Sequence, residues 1–599
     1  MSESQRWAVG NSPWPSCVML LCGEQTTLED RNVIRLLDFF GIQWRMTHAR
    51  DVAEPQESYA IVSSAVCMAT AMQEFQGSPK ALPSWLKQAS SVFVYGFHND
   101  DLSTKLVRFV TGDPVAKFKP IHTRETIMTV TGDCPDMCGP MSGMRVPVTL
   151  RPPVCACDFG PALEGLQSVV CADEGEVFFG VTFGGIRFYL STCAMILDIS
   201  ALSVEHFDVK NCFCEALPLV FFLRRALPDA SFGHGETSAC LIVDDPPLKR
   251  RYGFLDFREA LDLMGRHNFT TTIAFIPWNW RRTDSRTLSL FQSHPERLSL
   301  VVHGCDHTSG EFAERSPGLL DRKIRTSGQR MEWFRRSASI EADQVMVFPQ
   351  GKFSPETGRA LKLNGFVAAV NTEVAPAEPA ANETTIADLW NVAVMRYGSF
   401  PIFTRRYLDD GIENFAFDAL LGKPCLIAAH HDVFRDHARK LIDFVAQLNS
   451  LKWNLFWRPL GEAVRRSFTT RRLDDGTEVI RMFAGSLLAE NRDTELGRML
   501  LLKEEADPDC VQAVLVNQTP VEFSFESGRL RAWAVTPPRE TAVVRIVYRN
   551  NLERIPDRDS AGAKIKIAAK RFLSEFRDNC LSRNDFLYQS ASRLKQLMR

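Results

Sequence analysis

Short apolar runs recur along the chain between stretches of helical period, and the rhythm changes several times. CVMLLC (17–22) and SVFVYG (91–96) each precede a helix-period segment, one over 28–40 behind the capping residue Thr27 and one near 101–111. This alternation predicts a small α/β layer domain over 1–120. From 121 to 235 the runs become rich in Gly, Pro and aromatic residues, as in GEVFFGVTFGGIRFYLS, and predict a β-rich domain closed by one helix, EALPLVFFLRRALPD. Between 236 and 465 eight runs follow one another: ACLIV, TTIAFI, SLVV, VMVF, FVAAV, NVAVM, PCLIAA and WNLF. Short, almost uniformly apolar strands separated by helices predict a buried parallel sheet or a distorted (β/α) barrel. From 466 to 550, strand-like pieces around the turn Asp474-Asp475-Gly476 predict a β-sandwich, and 551–599 returns to helix period.

Composition narrows the classes. At 599 residues the chain exceeds one hydrophobic core, so roughly three to five folding units are expected. No apolar run approaches the roughly 20 residues that cross a bilayer. The opening MSESQRWAVGNSPWPS has neither a signal-peptide nor a transit pattern, which makes a cytoplasmic location the expectation. Lys plus Arg (70) balance Asp plus Glu (72), so nucleic acid is not an expected partner. The first βα turn, Cys22-Gly23-Glu24, lacks a Gly-rich phosphate loop. Three close cysteine pairs, Cys134/Cys138, Cys155/Cys157 and Cys212/Cys214, lack a repeated CxxC spacing and read as core thiols rather than a zinc site. In the tail, Ile565, Ala569, Phe572 and Phe576 make an apolar stripe among Lys564, Lys566, Lys570, Arg571 and Arg577. Docking of that helix onto another domain or a second copy of the chain is favoured over peripheral contact with an anionic membrane.

The residues that follow the apolar runs carry the chemistry. Asp244 and Asp245 follow the first run; Trp278 and Asn279 the second; His303 the third; Pro349 the fourth; Arg396 the sixth; His430 and His431 the seventh. In a barrel these strand ends converge on one mouth. His303 and His307, four residues apart, reach one ion if the chain makes a helical turn between them, and Asp245 completes a two-histidine, one-carboxylate face with open positions. Asp244 is left to take a proton from an attacking water. Against this stands the reading of Asp-Asp-Pro-Pro as a plain turn. Trp278, Asn279 and Trp280 suit a sugar ring and Arg281 and Arg282 an anionic group, or the tryptophans simply plug the rim.

The ordered segments VDDPP, HGCDHT, VFPQGKF and LIAAHHD resemble the motifs of the polysaccharide deacetylase (NodB-like, carbohydrate esterase family 4) family, over about 230 residues. The resemblance implies Asp244 as general base, Asp245, His303 and His307 as ligands of a divalent metal with zinc expected first, and His430 or His431 as the acid. It implies removal of an N-acetyl group from a sugar or glycan precursor, with a lipid- or nucleotide-linked precursor at the inner membrane face fitting the cytoplasmic expectation. Three positions depart from the family. Gly304 replaces a small hydroxyl residue, Val347 stands where an arginine braces the base, and no tryptophan-bearing fourth motif is present. Arg396 or Lys352 is the candidate replacement brace. An esterase or amidase acting on another substrate, and a silent regulator of glycan synthesis, are the competing readings.

Overall fold

In a computed structural model, residues 17–581 are described except 53–58, 73–81, 152–153, 161–162, 229–232, 234–235, 379–380, 452 and 557–560. The expected tail beyond Leu581 therefore lies outside the described residues.

The first apolar run forms the strand Cys17–Cys22, buried from Val18 onward, with parallel neighbours Gln43–His48 and Tyr59–Ser64. Thr27 caps the following helix, Leu28–Phe39, in a reciprocal capping box with Asp30. The expected boundary at 120 does not separate two sheets. Ile186–Ser191 pairs parallel with Ala89–Tyr95 and antiparallel with Gly175–Phe183, so the later strands extend the N-terminal sheet to eleven strands among the described residues. The helix Phe213–Ala226 is buried on nearly every side despite Pro218 within it. Its core continues into Trp390, Ala416, Phe417 and Leu420 of the next unit.

That unit is a distorted (β/α) barrel. Its parallel strands run in the order Ile402–Thr404, Ala368–Asn371, Ala342–Val347, Leu298–His303, Thr271–Phe275, Thr237–Asp244, Cys425–Ala429, Arg406–Tyr407. The two edges of this sheet are consecutive in the chain. Ile402–Thr404 pairs with Ala368–Asn371, and after a single residue, Arg405, Arg406–Tyr407 pairs with Cys425–Ala429. One interrupted strand thus closes the barrel. Leu455–Trp457 adds to the start of the Thr237–Asp244 strand.

Seven of the eight expected runs contribute strands. NVAVM does not: Val394 makes only an isolated bridge to Ile402, and the sixth position belongs to IFTRRY, whose two arginines break the apolar pattern.

Beyond the barrel, sheets of five and four strands between Thr469 and Tyr548 enclose one core that includes Ile480, Leu501, Val514, Leu530 and Val544. A buried ion cluster ties this sandwich to the barrel. Lys362 Nζ lies 2.6 Å from Glu505 Oε1 and 3.0 Å from Asp507 Oδ2, and donates to the Gly398 carbonyl at 2.8 Å. Lys503 adds a second contact to Glu505 at 3.6 Å. Removing one partner of such a cluster leaves a charge stranded in low dielectric. Lys362→Met is therefore expected to cost about 3 kcal/mol, read as a lowered denaturation midpoint.

Candidate metal centre

Three strand ends supply the centre. The strand Thr237–Asp244 is buried throughout and ends on Asp244; the next residue, Asp245, has a φ of 81°, which turns its carboxylate into the mouth. Its amide still donates to the Ala274 carbonyl at 3.2 Å, holding the turn against the neighbouring strand. His303 ends Leu298–His303, and its Nδ1 lies 3.0 Å from the Val347 carbonyl, which leaves Nε2 free for an ion. Asp245 Oδ1 lies 3.6 Å from His303 Nε2 and 3.2 Å from His307 Nε2.

These three are the one group among the described residues whose ligand atoms, all within 4.8 Å of one another, could hold a metal. Asp245 Oδ1 is buried and makes no hydrogen bond of acceptable geometry, as an oxygen reserved for a cation would be. Burial works against ionisation of Asp245, yet His307 and His303 outweigh it and hold the carboxyl well below its usual range. In His303, burial is outweighed by Asp244 and Asp245, which push the imidazole up. The donor set fits a divalent ion of the zinc type.

The segment between the histidines is not the helical turn expected from their spacing. Glu311, fully buried, gathers the loop instead: its carboxylate accepts from the amides of Cys305 (2.9 Å), Asp306 (3.2 Å) and His307 (3.1 Å). Gly304 and His307 adopt positive φ, 70° and 54°, so that these amides point at one anion. A Cβ on Gly304 would lie 2.1 Å from Glu311 Oε1 and 2.3 Å from Pro349 Cγ. The departure at Gly304 thus follows from the loop, and Pro349 serves as the wall behind it.

Asp244 is braced by neither Arg396 nor Lys352. Arg405, at the seam of the barrel, grips both of its oxygens, Nη1 to Oδ1 at 2.7 Å and Nη2 to Oδ2 at 2.6 Å. Burial would raise the Asp244 carboxyl, but Arg405 and His303 lower it. Arg396 pairs with Asp388 at 2.9 Å, away from this cluster, because the run before it is not a barrel strand; Lys352 is exposed. Sequence reasoning missed Arg405 because it sits inside a strand too short and too charged to register. The doublet Arg405-Arg406 in an otherwise apolar stretch was the available signal.

The remaining predicted residues divide. Trp278 lies under the Arg330 guanidinium at 5.2 Å, and its amide donates to the Cys305 carbonyl, so it packs on the metal loop. Asn279 is buried in the turn beside it. Trp280 packs edge-to-face with Trp333, and Arg282 pairs with Glu575. His430 is exposed beside a cavity of about 990 Å³ shared with Tyr407, Arg435 and Arg439. His431 is buried against Tyr252 and Phe254, its Nδ1 without a hydrogen bond and its Nε2 3.6 Å from Asp578. Cys134, Cys138, Cys155, Cys157, Cys212 and Cys214 are all buried free thiols.

The Asp-Asp pair, His303 with His307, and the strand-end His-His therefore follow the C-terminal ends of parallel strands of one barrel. The motif order resembles that of the polysaccharide deacetylases.

No family model and no curated protein matches the chain. Among solved structures, it is similar to the Xyl-CE4 domain of a multidomain xylanase from the hindgut metagenome of Trinervitermes trinervoides (14% identity, 38% of this chain and 90% of that one, TM-score 0.24). It is also similar to a family 4 carbohydrate esterase from Streptomyces lividans in complex with acetate (12%, 38% and 93%, TM-score 0.25). A CE4 family pseudoenzyme from Bacillus anthracis matches at 10%, 38% and 65%, with a TM-score of 0.23. At such TM-scores the superpositions carry no weight of their own; the likeness to polysaccharide deacetylases stands on the motif residues.

Gly304→Ser, which restores the polysaccharide deacetylase residue, is expected to cost about 1–3 kcal/mol through backbone strain and the clash with Glu311 and Pro349. Elemental analysis should show metal content falling together with the unfolding midpoint.

Proposed function

We propose that this protein is a metal-dependent hydrolase that removes an N-acetyl group from a sugar or glycan precursor. The observation that carries the reading is the conjunction of the Asp245, His303 and His307 triad with an adjacent buried carboxylate, Asp244, held ionised by Arg405. A divalent ion bound by the triad would supply Lewis-acid polarisation of the amide carbonyl. Asp244, kept as the carboxylate by the guanidinium, is the group to accept the proton of the attacking water. Arg405 also fixes the direction of that carboxylate, since both oxygens are engaged and the side chain cannot rotate freely.

His431 is the candidate proton donor to the leaving amine, because it is the buried ring of the pair and keeps one nitrogen unpaired. His430, facing the open cavity, is better placed to meet the more distant part of a glycan. Trp278 supports the loop that carries the ligands, through its amide bond to the Cys305 carbonyl.

The test combines metal content with acetate release from a panel of N-acetylated sugars. The Asp245→Ala, His303→Ala, His307→Ala variant is expected to lose near-stoichiometric metal while keeping its circular dichroism. Asp244→Asn and His431→Ala are expected to retain metal and lose about 100-fold or more in acetate release, with His430→Ala much less affected. Metal-free wild-type protein, or loaded protein inert toward every acetylated sugar, overturns the reading.

Arg405 gives a second, pH-resolved expectation. In the wild type Arg405 lowers the Asp244 carboxyl, so the base form survives to lower pH. Arg405→Met leaves burial unopposed by that charge, the carboxyl holds its proton to higher pH, and the acid limb of the rate profile should move upward. Arg405→Lys, which keeps the charge, should move it less.

A further inference from the structure

The helix Ala561–Phe576 and the wider turn Arg577–Leu581 lie across the barrel mouth, and they do so by their polar side. Lys570 and Arg571 both donate to the His307 carbonyl at 3.4 Å, and Arg571 Nη2 reaches His307 Nδ1 at 3.2 Å. Glu575 pairs with Lys249 and Arg282. Asp578 accepts from the Tyr252 hydroxyl and faces His431, while Asn579 Oδ1 accepts the Gly253 amide at 2.8 Å. One segment thus engages a triad histidine and the histidine assigned to proton donation.

The Arg571 guanidinium is a permanent cation, and it lies against the ring of a histidine that would ligate a dication, with Asp245 at the other edge of that ring. A divalent ion in the triad is repelled by that charge at such short range. The docked segment and a loaded triad therefore oppose one another, by charge and by cover of the mouth.

The opposite side of the same helix is apolar and uncovered. Ile565, Phe572, Leu573 and Phe576 are 69%, 65%, 64% and 47% exposed, whereas Ile567 and Arg571 face inward. At about 100° per residue the four exposed side chains fall on one arc and Ile567 and Arg571 on the other. The stripe expected to dock is thus the one turned outward. Lys564 and Lys566 are exposed beside it, and residues 561–599 carry nine Lys or Arg against three Asp or Glu in a chain of net charge −2. An apolar arc flanked by lysines is complementary to an anionic lipid surface, and the cations that pin the helix to the barrel, Lys570 and Arg571, are those that lipid phosphates would draw away.

We propose that this helix is an autoinhibitory strap, held on the metal centre by its polar face and lifted when its apolar, basic face enters an anionic membrane surface. The inhibitory consequence rests on the metal-hydrolase reading; the lifting does not. Linkage then requires that a surface that removes the strap also favours metal binding.

The experiment uses the full chain with phosphatidylglycerol/phosphatidylcholine vesicles and with phosphatidylcholine vesicles as control. Co-sedimentation is expected with the mixed vesicles alone, and it should be lost in Phe572→Asp, Phe576→Asp, whose exposed positions spare the fold. On binding, hydrogen exchange at the Gly253 amide should accelerate and the rate of zinc uptake by stripped protein should rise about tenfold. Arg571→Ala should speed zinc uptake without vesicles. Absence of binding to the mixed vesicles, binding with the Gly253 amide still protected, or an opened strap with unchanged zinc uptake overturns the proposal. A chain that takes up no zinc under any condition instead overturns the hydrolase reading, and sedimentation with Gly253 exchange still decides whether the strap lifts.

Discussion

The ion pair between Arg405 and Asp244 sits where the barrel closes. The strand containing Ile402–Thr404 changes partners at Arg405 and resumes as Arg406–Tyr407 on the other edge of the sheet. Its guanidinium crosses to the end of Thr237–Asp244 and binds both carboxylate oxygens. Both groups are buried, so neither charge is tolerable without the other. Closure of the sheet and ionisation of the proposed base are thus one arrangement, with the arginine at the seam serving both.

A second buried carboxylate organises the metal loop in a comparable way. Glu311 collects successive backbone amides and so fixes the path between His303 and His307 without a helix. The space this occupies excludes a side chain at Gly304. Two of the three departures from the polysaccharide deacetylase pattern therefore have structural causes: an alternative brace at Arg405, and a loop wound on Glu311 that requires glycine. Val347 keeps a role through its carbonyl, which orients His303.

The flanking units are built into the barrel rather than strung beside it. The long N-terminal sheet shares a core with Trp390 and Phe417, and the C-terminal sandwich is joined through the Lys362, Glu505 and Asp507 cluster. The chain then returns over the mouth, where Glu575 meets Lys249 and Arg282, and Lys570 and Arg571 meet the His307 carbonyl. Polar contacts, rather than apolar burial, hold it there.

Much of this was determined by the sequence alone. Seven apolar runs contribute barrel strands because a strand buried on both faces must be continuously hydrophobic, and the polar residues just after them mark the mouth. Asp244, Asp245, His303, His430 and His431 stand out as candidates in that way, and His307 by its spacing from His303. Tertiary structure decided what local pattern does not encode. The strand around Arg405 is five residues in two pieces and draws its stability from partners on both sides, so its own composition hides it, and NVAVM, apolar for packing rather than pairing, took its place. The sheet that joins 17–120 to 121–235 depends on a pairing between residues almost a hundred positions apart. The face of the tail helix that docks was likewise settled by the acceptors and charges awaiting it at the mouth, since hydrophobic periodicity reports an amphipathic helix but not what lies against either side of it.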